Sequence, residues 1–208
     1  IAKPADLAGK TVTTLQGDTT TTMLYALLAK AGVERSAVQV VASDGGTRNQ
    51  TILAKRAQAI TGFYNDSYLG FLDTTGGQVD YFMYSDFGIN TMGDGVAAHE
   101  DTIAEKPEVV RGFVKATIRA YKYALEHPEE AIDALMKVSP NTKAPVSIEK
   151  LKATARLLES PKTAAHGIGY NSKESWQHAQ DLMLEYGGLS KAADDVSSYY
   201  TNDFLPKP

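Results

Sequence analysis

Apolar positions follow two different spacings along this chain. Up to about residue 90, short β-branched runs alternate with helical stripes. Lys10 to Leu15, rich in Thr and Val, predicts a strand. Met23, Leu24, Leu27, Leu28 and Ala31 then recur at helical spacing, and Gly32 supplies a C-terminal stop. Val38 to Val41 predicts a second strand. Ser43 to Thr47 reads as a loop leading into a short helix that bears Ile52, Leu53 and Ala57. Ala59 to Phe63 predicts a third strand, Ser67 to Asp73 a short helix, and Val79 to Tyr84 a fourth strand. Strands separated by helices imply right-handed crossovers and a mainly parallel sheet. In open sheets of this kind ligands sit beyond the carboxyl ends of the strands. The loops at that edge are Gly17–Thr21, Asp44–Thr47, Tyr64–Tyr68 and Ser85–Gly88.

From about residue 105 the spacing becomes purely helical. Pro107 suits a first helical position, and Val110, Phe113, Val114, Thr117, Ile118, Tyr121 and Leu125 mark one face. Pro128 restarts a second helix, with Glu129 and Glu130 in its first turn, where negative charge is favoured. Ile132, Leu135 and Met136 form its apolar face. Ser147 is placed to cap a third helix with Ile148, Leu151, Ala155 and Leu158. Ser172 is placed to cap a fourth, bearing Trp176, Ala179, Met183 and Tyr186 and ended by Gly187-Gly188. The aromatic tail, Tyr199 to Pro206, is expected to dock rather than solvate. Between the halves, Val96 to Ala98 is a short strand candidate, yet a lone strand makes no sheet. The helices after it are expected to cover sheet strands absent from this sequence.

Composition narrows the function classes. The 208 residues carry a net charge of −4, which offers no basic field for nucleic acid. There is no cysteine, so disulfides, thiol nucleophiles and thiolate metal sites are excluded together. No apolar run approaches the roughly eighteen residues of a membrane span. The chain opens Ile1-Ala2-Lys3-Pro4, which predicts a processed or truncated start.

The chemistry concentrates at the first turn. Leu15-Gln16-Gly17-Asp18-Thr19-Thr20-Thr21-Thr22 reads as strand, glycine turn and hydroxyl-rich helix start. Such an end exposes unpaired N–H groups and partial positive charge, so it can hold an anionic or polar ligand. It can equally be a helix with an ordinary cap. Phe63, Tyr64, Asn65 and Asp66 follow the third strand: a stacking face beside an amide and a carboxylate. The plainer alternative makes Phe63 core and Asp66 a cap. Tyr68 is a weaker candidate. Tyr84 and Asp86 flank the crossing, where Asp86 either faces a cleft or caps a turn. Arg48 reads as a solvated surface arginine rather than a partner for an acidic ligand. His99-Glu100-Asp101, on a strand, could not converge on one metal. His127 at a helix junction and His166 in a loop have no evident partner. No phosphate loop, hydrolase elbow or zinc spacing appears. The expected catalytic, metal and cofactor residues are therefore none.

The order of these motifs resembles a known family. Lys3-Pro4-Ala5-Asp6-Leu7-Ala8-Gly9-Lys10 is similar to the opening of the second lobe in periplasmic substrate-binding proteins of ABC importers for sulfonates, taurine, nitrate, riboflavin and thiamine pyrimidine precursors. Gly17-Asp18-Thr19-Thr20-Thr21 with Leu24, Leu27 and Leu28 resembles their ligand-side helix start. Ala59 to Asp66, Asp94 to Asp101, Glu105 to Ala116 and Tyr199 to Pro206 resemble, in order, their ligand loop, return strand, following helix and ending.

The resemblance implies an α/β fold of the type II periplasmic-binding-protein kind. Residues 1–88 would be the second, ligand-binding lobe. Residues 89–208 would be the returning part of a first lobe whose front segment this chain lacks. It implies capture of a small polar nutrient between lobes, with Gly17, Asp18, Thr19, Thr20, Thr21, Phe63, Tyr64, Asn65, Asp66, Tyr84 and Asp86 at the ligand. It further implies a membrane permease as partner and a periplasmic or lipid-anchored extracytoplasmic location. A thiamine-pyrimidine-like ligand is favoured over an alkyl sulfonate by the Phe63–Asp66 loop. Two alternatives stand beside this. One is an interaction fragment completed by a second chain that supplies first-lobe strands, or by an exchanged copy. The other is a thiamine-pyrimidine biosynthetic enzyme, whose eukaryotic forms carry a cysteine-rich motif absent here.

Overall fold

The computed structural model describes residues 1–206 and separates into two compact units. One comprises residues 1–92 and 174–194, the other residues 93–173 and 195–208.

The first unit is built on three parallel strands in the order β2-β1-β3. They are β1 (Thr11–Leu15), β2 (Gln39–Ser43) and β3 (Ala59–Ile60). Thr11 to Leu15 pairs with Gln39 to Ser43, and Val12 and Thr13 pair with Ala59 and Ile60. Val12, Thr13 and Thr14 are all buried, as a central strand covered on both faces requires. The buried Thr13 and Thr14 hydroxyls lack hydrogen-bond partners among the described residues.

Helix α1 (Thr19–Lys30) follows the first turn. Leu24 and Leu28 meet Leu7, Val12 and Val38 on one side. Met23, Ala26 and Leu27 meet Ile89 and Leu182 on the other. A helix buried on two sides is apolar nearly all round, which is why its stripe is broad. It ends with Gly32 at φ +67°, where Val33 N donates to Leu28 O at 2.9 Å.

Several expected boundaries shift. Asp44–Thr47 is not a free loop: Asp44 caps α2 (Gly45–Leu53), accepting from Thr47 N at 3.0 Å and Thr47 Oγ1 at 2.6 Å. The third strand stops at Ile60, and the chain then winds into a single π-turn over Tyr64–Tyr68, continued by α3 (Leu69–Thr75). Residues 79–83 form no strand, and a 3₁₀ turn occupies Tyr84–Phe87. A strand needs a partner's backbone groups along its length. With β3 only two residues long, that edge offers too few. Instead Phe82 packs against the core and Tyr81 joins an aromatic cluster.

The second unit is helical. Val96–Ala98 is not a strand, and residues 91–100 are exposed throughout. His99 caps an unforeseen helix, α4 (Glu100–Glu105), with Nδ1 accepting from Asp101 N at 3.3 Å. The strand-based argument against a His99 metal cluster therefore lapses. Among the described residues, even so, no cluster of His and acidic groups is placed to hold a metal ion. Pro107 and Pro128 open α5 (Pro107–Glu126) and α6 (Pro128–Val138) as expected. Helix α7 (Ala144–Leu158) begins ahead of Ser147, because Pro145 already suits its first turn. A further helix, α8 (Pro161–His166), starts where Ser160 Oγ accepts from Thr163 N at 3.0 Å. His166 thus ends a helix rather than lying in a loop, and its ring stacks on Tyr170 at 4.0 Å.

Helix α9 (Lys173–Tyr186) follows Ser172, and its Leu182 enters the core of the first unit. The tail docks within the second unit: Arg111 Nη1 donates to Asp203 O at 2.8 Å, and Asn202 Nδ2 donates to Asn171 O at 2.8 Å. Among the described residues no helix is long and apolar enough to cross a membrane.

Candidate functional site

All the candidate residues lie in the first unit, at the carboxyl edge of the sheet. Asp18 leaves β1 through Gly17, whose φ of +77° suits only glycine at low cost. The Asp18 carboxylate accepts from Thr20 N at 2.7 Å, and its carbonyl accepts from Thr21 N at 3.3 Å. The helix start is therefore already capped by its own negative charge. A bare amide cradle for an anion is not what the sequence built. An anionic ligand here would have to displace Asp18 or sit against it.

The three threonines divide. Thr19 is exposed, with its hydroxyl 3.5 Å from Asp18 Oδ1, and Thr21 is half-buried. Thr20 turns inward, its hydroxyl bonded to that of Thr61 at 3.0 Å. Thr20 therefore joins α1 to the end of β3 instead of offering an open hydroxyl. Tyr84 also points inward and donates to Thr20 O at 3.2 Å. Burial, then the nearby Asp18 charge, pushes the Tyr84 phenol well above the ordinary tyrosine range. Asp86 accepts from Met83 N at 3.1 Å and so caps the turn that presents Tyr84.

The loop after β3 is the exposed part. Gly62 is required there: a Cβ would lie 2.5 Å from Ser67 Oγ. That close approach lets Phe63 O accept from Asp66, Ser67 and Tyr68 N–H groups at 3.2, 2.9 and 3.3 Å, winding the π-turn. Single π-turns are frequent at functional sites. Phe63 is 46% exposed, so it is rim and not core. Tyr64 stacks on Tyr68, with centroids 5.3 Å apart and planes 17° apart. Tyr81 leans on both rings, at 4.9 and 4.4 Å. Burial and the neighbouring Tyr64 hydroxyl raise the Tyr81 phenol. Asn65 and Asp66 lie on the same turn, each engaged with other groups of the protein.

Sequence reasoning missed Tyr81, because a strand residue at 81 had no reason to turn toward the loop at 64. It also misplaced Arg48. That side chain is only 9% exposed and bonds into the loop, as described below. A cavity of about 600 Å³ lies at the opposite end of α1, lined by Tyr25, Leu28, Arg35, Glu185 and Tyr186 among others. It adjoins the C-terminal ends of α1 and α9, beside Glu34 and Glu185. The polar and aromatic groups singled out above do not converge there.

Residues 1–131 match the family described as NMT1/THI5 like. The chain belongs to the NMT1/THI5-like family. Among its relatives, the riboflavin-binding protein RibY of Chloroflexus aurantiacus is 29% identical over 88% of this chain and 52% of its own. The formylaminopyrimidine-binding protein of Halalkalibacterium halodurans is 26% identical over 96% of this chain and 61% of its own. The periplasmic aliphatic sulphonate binding protein SsuA of Escherichia coli superimposes with a TM-score of 0.67 at 19% identity. That match covers 93% of this chain and 59% of SsuA, and it establishes the α/β fold of the periplasmic-binding-protein kind. A 4-amino-5-hydroxymethyl-2-methylpyrimidine phosphate synthase of Legionella pneumophila also matches, 30% identical over 49% of this chain. The NMT1/THI5-like chain thus spans between half and two thirds of these binding proteins' length. In those relatives the additional length lies on the same polypeptide.

Proposed function

We propose that this chain is the ligand-binding part of a solute-binding protein serving an ABC importer outside the cytoplasm. In this reading the first unit is the second lobe of such a protein, and the second unit is the returning part of the first lobe. The solute is a small, planar, nitrogen-rich ring of the aminopyrimidine or flavin kind. The observation that carries this is the three-tyrosine cluster, Tyr64, Tyr68 and Tyr81, on the π-turn at the carboxyl edge. Its partly exposed rings form a platform for a flat π-system. Asn65 and Asp66 lie on the same turn as Tyr64 and Tyr68, and in this reading their amide and carboxylate exchange present partners for ligand N–H groups. Phe63 adds a rim.

Two relatives named for riboflavin and for formylaminopyrimidine support that ligand class. The Asp18 carboxylate at the helix start weighs against a sulfonate. Catalysis has little support. The chain has no cysteine, and its named binding-protein relatives match over much more of it than the synthase does.

Calorimetry with riboflavin, an aminopyrimidine and an alkanesulfonate tests the assignment. At least one ring compound is expected to bind, with Tyr64→Ala weakening it. Binding of the sulfonate alone would reverse the ligand class. Ring binding untouched by Tyr64→Ala would move the site.

A further inference from the structure

Arg48 is a buried charge, 9% exposed, set apart from the carboxylates of the candidate loop. It lies within α2, pointing beneath the loop that follows β3. Nη1 donates to Thr61 O at 3.1 Å, Nη2 approaches Ser67 Oγ at 3.5 Å, and Nε donates to Asn49 Oδ1 at 3.2 Å. Among the described residues, all three partners are neutral oxygens. Burying a guanidinium without a carboxylate is expensive, and an apolar side chain of similar size would hold a mere core position more cheaply. Something other than filling space must account for it.

The geometry of its bonds supplies the reason. Thr61 is the last residue before Gly62 and the loop, and Ser67 lies inside the π-turn that ends it. One planar fork therefore holds both feet of the Thr61–Ser67 segment. That segment carries Phe63, Tyr64, Asn65 and Asp66. The fork is rigid and its donors diverge at fixed angles, which lysine cannot imitate. Gly62 supplies the room that lets Ser67 come within reach. Thr61 is also tied to Thr20 through their hydroxyls, so the clamp joins the loop to the start of α1.

We propose that Arg48 is a positioning residue: its guanidinium fastens both ends of the ligand loop and so fixes the stacked orientation of Tyr64 and Tyr68. Its effect on affinity rests on the ring-binding reading above, whereas its effect on the tyrosine cluster does not. Removing a charge-assisted two-point clamp is expected to weaken ring binding about ten-fold or more.

The test uses Arg48→Ala and Arg48→Lys in the full chain. Near-UV circular dichroism of the tyrosines is read without ligand, and riboflavin and aminopyrimidine titrations are read with it. Arg48→Ala is expected to keep its far-UV spectrum, lose tyrosine near-UV signal and bind ring compounds more weakly. Guanidinium at tens of millimolar should restore both readouts, and sodium chloride at equal ionic strength should not. Arg48→Lys, which reaches only one foot, should remain impaired. An Arg48→Ala protein with the wild-type tyrosine spectrum overturns the proposal, as does loss of signal that guanidinium cannot restore. Should Arg48→Ala fail to fold, Ser67→Ala removes one foot alone. A several-fold loss of ring binding with a reduced near-UV signal then supports the clamp, and wild-type values on both overturn it. If the wild type binds neither ring but Arg48→Ala still loses a rescuable tyrosine signal, the ligand reading fails while the clamp stands.

Discussion

The two compact units bury their apolar positions very differently. In the first, α1 and β1 place Leu7, Val12, Leu24, Leu27, Leu28 and Ile89 almost wholly out of solvent. In the second, α5 to α7 bury little beyond Val110, Ile132 and Ala153, while Val109, Val138 and Leu157 stay exposed and Phe113 is 60% exposed. Periodicity states which face of a helix is apolar. It does not state whether this chain supplies something to cover that face. The sheet of the first unit covers its helices on the spot. Within the second unit, the described helices pack on one another and on the tail.

That contrast is open to direct attack. Leu27→Ala removes a fully buried side chain and is expected to destabilise the first unit by about 3 kcal/mol in chemical denaturation. Phe113→Ala should change stability by less than about 0.5 kcal/mol. A Phe113→Ala cost equal to that of Leu27→Ala would show that the exposed face is covered in solution. Gly62→Ala should push Ser67 from the loop, costing about 1–3 kcal/mol in thermal unfolding. Because the tyrosine cluster depends on that contact, its near-UV signal should fall too. Thr13→Val replaces a buried, unpartnered hydroxyl with a methyl group. It is expected to stabilise the first unit by about 1 kcal/mol, and a net loss would reveal a hidden partner.

The smallest effect concerns acid. Hydrogen bonds from Ser197 Oγ and Ser197 N, and then Lys173, lower the Asp195 carboxyl to about 2. A depressed carboxyl stabilises above its ordinary range and loses that contribution as pH falls from about 4 through about 2. Proteolysis around residues 195–206 should therefore rise over that window, whereas the core of the first unit should be unaffected. Asp195→Asn should flatten the dependence. At the other extreme, the Tyr84 phenol is raised, so its contribution is complete below about pH 10 and declines above it.

The candidate site was only partly legible. The residue types at 17–21 and 63–66 were plain from strand–turn–helix order, because a carboxyl-edge loop follows each strand. Their orientations were not. Whether a threonine hydroxyl faces out or in depends on its neighbours across the sheet, and Thr20 meets Thr61 from 41 residues away. Tyr81 reaches Tyr64 and Tyr68 only because residues 79–83 remain unpaired. Asp18 illustrates the converse: a cap at that helix start was readable locally, and its carboxylate accepts from Thr20 N as such a cap does.

The sequence by itself determined the parallel strand–helix alternation, the main helix starts at Pro107 and Pro128, and the docking of the aromatic tail. These follow from spacing, caps and proline stereochemistry, all of which act within a few residues. Tertiary structure alone decided where strands end, which faces are covered and where charges are buried. Arg48 is the sharpest case. Nothing near it in the chain distinguishes it from a surface arginine. It is buried because β3 ends and the chain turns back above it, and that is a property of three segments at once.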